Sequence, residues 1–179
     1  MKLLTLLFVL IAHQAIAQDK PRGAPDLTLR ELRGRLVRLS DYRGKVLLLN
    51  FWATWCAPCR AETPDLVRVQ REQRAQGLQV IGISYPPESR VAVRRFVHSF
   101  KINYPILAGT RATKSLFIEG ETLPATVVID REGRVRAVIE GILLPEEFDE
   151  KIKPLLVKPE AKVSVNHPHG SLSRKEVVR

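Results

Sequence analysis

Val46-Leu47-Leu48-Leu49-Asn50-Phe51-Trp52-Ala53-Thr54-Trp55-Cys56-Ala57-Pro58-Cys59-Arg60-Ala61-Glu62 is the stretch on which the fold turns. Val46 to Phe51 is a nearly unbroken apolar run, the pattern of a strand buried on both faces. The residues after Cys56 favour a helix, and Pro58 suits its first turn. A Cys-x-x-Cys at such a strand-to-helix junction is a redox device. Cys56 falls at the helix N-terminus, where unpaired N–H groups and the positive end of the dipole favour a thiolate. The spacing puts Cys59 within reach, so the pair can open and close as a disulfide.

Two other uses of the cysteines are weaker. The chain has only these 2 cysteines, so a second Cys-x-x-Cys for a tetrahedral zinc site is missing. A bridge closing so short a loop adds little stability by the chain-entropy model.

Working outward, Leu27 to Leu39 alternates in part, with Arg33-Gly34 as a turn between two short strands. Asp41-Tyr42-Arg43-Gly44 is a second turn. The helix after Cys56 is expected to run to about Gln76, to kink at Pro64 and to end at Gly77. Val80 to Ser84 reads as the next buried strand. Glu88 to Phe100 reads as a helix with Val93, Phe96, Val97 and Phe100 on one face and His98 at the surface. Pro105-Ile106-Leu107 is a short edge strand, and Arg111 to Ile118 a short helix. Thr126 to Asp130 is a strand whose hairpin partner carries Val135, Ala137 and Ile139 across the Arg131-Glu132-Gly133 turn. Pro145 to about Leu156 is a closing helix. Strands alternating with helices, then a strand pair and a last helix, indicate an α/β sandwich around a mixed sheet.

The ends read differently. Lys2, the apolar run Leu3 to Ala12 and Ala15-Ile16-Ala17 form a secretory signal over residues 1–17, with Gln18 as the expected mature N-terminus. The run is short for a membrane span, and an uncleaved anchor is the alternative. The domain is expected over 18–157. Residues 158–179, with His167 and His169, lack apolar periodicity and read as a flexible tail. The expected location is outside the inner membrane, in the periplasm, where disulfides persist.

The 179 residues are 45% apolar and 27% charged, enough for a sizeable core, without repeats. Lys and Arg number 29 against 19 Asp and Glu, a net charge of +10. The arginines are scattered with few aromatics between them, and no nucleic-acid motif is present. The charge reads as a solvated basic surface that helps steer partners.

The run Gly44 to Pro64 resembles the active-site segment of the TlpA/ResA-like branch of the thioredoxin superfamily, which are exported thiol–disulfide oxidoreductases. Leu123-Pro124-Ala125-Thr126-Val127-Val128-Ile129-Asp130 resembles that family's cis-proline loop and following strand. Ala24-Pro25-Asp26-Leu27-Thr28-Leu29, followed by Leu39 to Gly44, is similar to its N-terminal hairpin. The three matches fall in order over roughly residues 24–153. The resemblance implies a thioredoxin-like three-layer sandwich. A central mixed β-sheet would be flanked by helices, with an N-terminal β-hairpin extension.

It also implies roles. Cys56 would be the nucleophile and Cys59 the less exposed resolving thiol. Glu62, one turn beyond Cys59, would handle protons, since Asn50 stands where thioredoxins proper carry a buried Asp. Pro124, if cis, would bring its loop against Cys56, and the Leu123 backbone would pair with an extended substrate. Ala57 and Pro58 add no charge beside the thiolate, which favours a reductant's potential, nearer about −270 mV than about −120 mV. Trp55 would cover the pair and share in substrate binding, with Trp52 packed beneath. Neither a cofactor nor a resident metal is implied. Expected partners are oxidised proteins, including apocytochrome c and copper-site assembly proteins, and a membrane thiol-reductant donor of the DsbD/CcdA type. No nucleic acid is expected, and a membrane only if the signal segment stays uncleaved. The loop Thr122-Leu123-Pro124-Ala125 departs from the Gly-Ala-Pro-Glu-like loop of cytochrome-maturation members.

Two rival functions use the same features. One is a copper carrier holding the metal on Cys56 and Cys59, aided by the tail histidines. The other is a thiol peroxidase, because the N-terminal hairpin is also similar to that of peroxiredoxins.

Overall fold

A five-stranded mixed sheet in the order β5-β4-β3-β6-β7 forms the centre of the molecule. The computed structural model describes residues 22–157. The expected signal segment and the expected tail lie outside the described residues. No helix among the described residues is long and apolar enough to cross a membrane.

β3 (Val46–Trp52) lies in the middle, and all seven of its residues are buried. It pairs in parallel with β4 (Leu78–Ser84) and antiparallel with β6 (Ala125–Ile129). β5 (Ile106–Ala108) adds in parallel to β4, and β7 (Val135–Glu140) adds antiparallel to β6. The parallel β3–β4 pair needs a crossover, which α1 (Ala57–Gln73) supplies.

Alternation along β3 divides the core in two. Val46, Leu48 and Trp52 face a helical layer made by Leu66 and Val69 of α1, Val93 and Phe96 of α2 (Arg90–Ser99), and Ile152 and Leu156 near the C-terminus. Leu47, Leu49 and Phe51 face Val37, Leu39 and Ile118 on the other side. Each such apolar side chain fully buried contributes about 1.5–3 kcal/mol relative to exposure. The second face is covered by the N-terminal hairpin β1 (Thr28–Arg30) and β2 (Leu36–Arg38) and by the short α3 (Arg111–Ser115).

The N-terminal segment crosses that face from one sheet edge to the other. The Val135 N–H donates to Arg22 O at 2.9 Å, and the Ala24 N–H to Gly133 O at 2.8 Å. Beyond the crossing, Glu31 bridges Leu107 and the Leu32 N–H donates to Ile106 O at 2.9 Å.

Local differences from the sequence reading have physical causes. α2 begins at Arg90 because Ser89 caps it, accepting from the Ala92 N–H at 3.1 Å. α1 passes through Pro64, tightens into a 3₁₀ turn at Arg74–Gln76, and stops at Gly77 with φ +93°. A Cβ at Gly77 would also stand 2.6 Å from Arg131 Nη1. The closing helix, α4, has three consecutive pieces, Pro145–Glu147, a π turn at Phe148–Ile152, and Lys153–Leu156. Pro154 lacks an N–H and would crowd the carbonyl four residues earlier, and a wide turn before it relieves that clash.

Candidate active site

β3 ends at Trp52, and four residues later Cys56 caps α1. Cys56 and Cys59 are joined as a disulfide with Cα atoms 5.3 Å apart. The Cys59 N–H donates to Cys56 Sγ at 3.2 Å, so a backbone donor of the first turn is aimed at the sulfur. Cys56 is 5% exposed and Cys59 1%, the expected order. Ala57 and Pro58, between the cysteines, are exposed. Trp52 is buried in the same cluster as both sulfurs, its ring 4.5 Å from that of Phe96. Trp55, one residue before Cys56, is 66% exposed.

The antiparallel register sets the opposite wall. Phe51 pairs with Ala125, so Pro124 stands level with Trp52 at the end of β3 from which the cysteine loop departs. The Leu123–Pro124 bond is cis. Pro124 is buried, and the half-buried Leu123 packs against both core clusters. The Tyr85–Pro86 bond, also cis, was not foreseen from the sequence.

Glu62 is only 2% exposed. Its Oε2 accepts from Asn50 Nδ2 at 2.9 Å, and its Oε1 from the Leu143 N–H at 2.7 Å. Asn50 Nδ2 also donates to Thr126 Oγ1 at 3.0 Å. Burial pushes the Glu62 carboxyl above its ordinary range, and the two donors oppose the shift only in part. A cavity of about 220 Å³ between α1 and α4 has Glu62 and Leu143 in its wall.

Two further groups shape the site and were not singled out in the sequence. The Thr54 N–H donates to Glu88 Oε2 at 3.0 Å and Thr54 Oγ1 to Glu88 Oε1 at 2.5 Å, which clamps the turn two residues before Cys56. Lys114 is 1% exposed, and its Nζ donates to Gly120 O at 2.7 Å. Tyr85 OH donates to Glu121 Oε2 at 2.5 Å. Together Lys114 and Tyr85 hold the segment leading into Leu123. Burial lowers the Lys114 pKa. Among the described residues no group of three or more His, Cys, Asp or Glu is placed to hold a metal ion.

The AhpC/TSA family model matches residues 22–138. Thiol-disulfide oxidoreductase ResA of Geobacillus kaustophilus is 35% identical over 134 residues, covering 73% of this chain and 76% of that protein. The chain belongs to the TlpA/ResA-like branch of the thioredoxin superfamily. ResA of Bacillus subtilis is 32% identical over 136 residues, covering 76% of this chain and 74% of its own. Among solved structures, a thiol:disulfide interchange protein of the thioredoxin family from Chlorobium tepidum superposes with a TM-score of 0.71 at 32% identity. It covers 79% of this chain and 100% of that one. This TlpA/ResA-like chain is thus a thiol–disulfide oxidoreductase with its Cys-x-x-Cys pair at Cys56 and Cys59.

Proposed function

We propose that the chain is an exported reductase of protein disulfides. The observation that carries the reading is the Cys56–Cys59 disulfide, with Cys56 capping α1 and the buried Glu62 one turn beyond Cys59.

In the reduced form the Cys56 thiolate attacks one sulfur of a substrate disulfide. The substrate S–S bond breaks, a mixed disulfide forms, and one substrate thiolate leaves. Cys59 then gives up its proton and attacks Cys56 Sγ. The mixed disulfide breaks, the second substrate thiol leaves, and the Cys56–Cys59 disulfide remains. Two electrons have moved to the substrate. Glu62 takes the proton from Cys59, and burial suits it to that task by placing its pKa nearer the working range. The cavity between α1 and α4 gives the carboxyl a route to solvent. Leu123, ahead of cis-Pro124, offers backbone groups to an extended substrate, flanked by Trp55, Ala57 and Pro58.

The chemistry of the substrate class is an accessible cysteine pair, as in apocytochrome c, copper-site assembly proteins or oxidised envelope proteins. A membrane thiol reductant of the DsbD/CcdA type returns the electrons. The signal-like residues 1–17 support a periplasmic location, or anchorage if they are retained. Insulin reduction by the pre-reduced protein tests the reading, with Cys56→Ser as the inactive control. Cys59→Ser should trap substrates on Cys56 as mixed disulfides. Failure of the wild-type protein to reduce insulin or any trapped partner would overturn it.

A further inference from the structure

The outer face of α2 has no acid in it. Arg90, Arg94, Arg95 and His98 lie on the helix, and Lys101 comes just after its end. Between this helix and the hairpin runs an open groove of about 560 Å³. Its floor is Leu32, Val97 and Ile102, each half-buried, and its walls carry the exposed Arg33, Arg94 and Lys101. No carboxylate lines it. None of the three wall cations forms a salt bridge among the described residues.

The redox helix packs its own cation against the same helix that walls the groove. Arg60, the residue after Cys59, is exposed, and its guanidinium lies over the rings of Phe96 and Phe100 at 5.7 and 5.2 Å. Those two residues sit on or next to α2. Arg60 beside the cysteine pair and Arg94 and Lys101 at the groove are therefore cations carried on or against one helix, α2.

We propose that this groove docks an acidic, partly apolar segment of the protein that exchanges electrons with Cys56. Positive walls select carboxylates by charge complementarity, and the apolar floor adds contacts that water-bound ions cannot use. A concave trough between two protein elements fits a chain segment better than it fits the plane of a membrane. The inference deepens the reductase reading and rests on it for the identity of the partner as a thiol protein.

The test uses a fluorescent peptide of alternating Glu and Leu, its Gln-and-Leu counterpart, and both again with an attached disulfide. The glutamate peptide should bind, and binding should weaken about tenfold or more in the triple variant Arg33→Glu, Arg94→Glu, Lys101→Glu and at about 0.5 M salt. With the disulfide attached, the glutamate peptide should be reduced about tenfold faster than the glutamine one by the wild-type protein. The variant should reduce both at the slower rate, which shows its cysteine chemistry to be intact. Equal binding and equal reduction of the two peptides by the wild type would overturn the docking site and leave the reductase reading standing. Binding without reduction of either peptide would uphold the groove and sink the reductase reading. Attachment to vesicles of phosphatidylglycerol and phosphatidylcholine through the same three residues, with no preference between peptides, would overturn the proposal in favour of a membrane surface.

Discussion

Asn50 Nδ2 donates to Glu62 Oε2 at 2.9 Å inside the core, joining the central strand to the redox helix through a single hydrogen bond. The same amide reaches Thr126 on the neighbouring strand. The acid that the sequence places on the Cys59 side of α1 is therefore not a surface group. It is held from two sides, by a strand amide and by the Leu143 N–H from the segment after β7. Loss of water raises its pKa, and the two donors return part of the shift.

Glu62→Gln should change both reactivity and stability against pH. A carboxylate near a thiolate disfavours it, so removing the charge should lower the apparent pKa of Cys56 alkylation and slow turnover while the fold survives. The native state holds the Glu62 proton to higher pH than the unfolded chain does. Its contribution therefore falls as pH rises from the ordinary 4.5 through the raised value. Glu62→Gln should flatten that decline in a series of denaturant midpoints. Unaltered alkylation and midpoint profiles would return Glu62 to a packing role.

Asn50→Ala should act oppositely on the acid. It strips a donor from Glu62 and from Thr126, at a cost of about 1–3 kcal/mol in denaturant melts. It also removes one of the two groups that favour ionised Glu62, so the carboxyl should titrate still higher. Asn50→Asp should go further, since two facing buried carboxyls cannot both ionise easily. Carboxyl carbon NMR of labelled Glu62 reads the shift directly, and an unmoved resonance titration would contradict it.

Glu88→Ala should loosen the cysteine turn. Both Thr54 donors lose their acceptor, a loss of about 1–3 kcal/mol. Hydrogen exchange at Thr54 and Trp55 should speed up while β3 and β4 stay protected. Equal protection at Thr54 in the variant and the wild type would show that the clamp is not holding the turn.

A glutathione titration should place the Cys56–Cys59 couple below about −200 mV. Ala57 and Pro58 bring no charge or side-chain donor to the Cys56 thiolate, so the dithiol is not strongly favoured. A value near about −120 mV would make the protein an oxidant.

Reading the sequence was most secure where the physics is local. The unbroken apolar run of β3 announces two-sided burial, and the Cys-x-x-Cys after it announces the helix cap. Alternation at Val135, Ala137 and Ile139 found β7. What the sequence hid depends on contacts across long separations. Helical spacing put Glu62 on the Cys59 side, yet nothing local tells that Leu143, 81 positions away, donates to it. Lys114 sits in a short helix whose spacing carries no sign that a lysine is buried. Glu88 looked like the start of a helix, and only the fold shows it turned back onto Thr54. The exposure of Trp55 is likewise a property of the folded turn and not of its local sequence.

The path of residues 22–32 has a consequence for durability. This segment satisfies the first pairing position of β7 at one sheet edge and bridges β5 at the other. Its hairpin is also rich in exposed basic residues, Arg30, Arg33, Arg35 and Arg38, which are cleavage points for trypsin-like proteases. Trimming past Arg38 would take away Val37 and Leu29, which pack on the second face of the sheet, and would free the edge positions this segment pairs with. The leading hairpin therefore covers an apolar face and two strand ends together, and a chain trimmed there should show more self-association in light scattering than the intact protein.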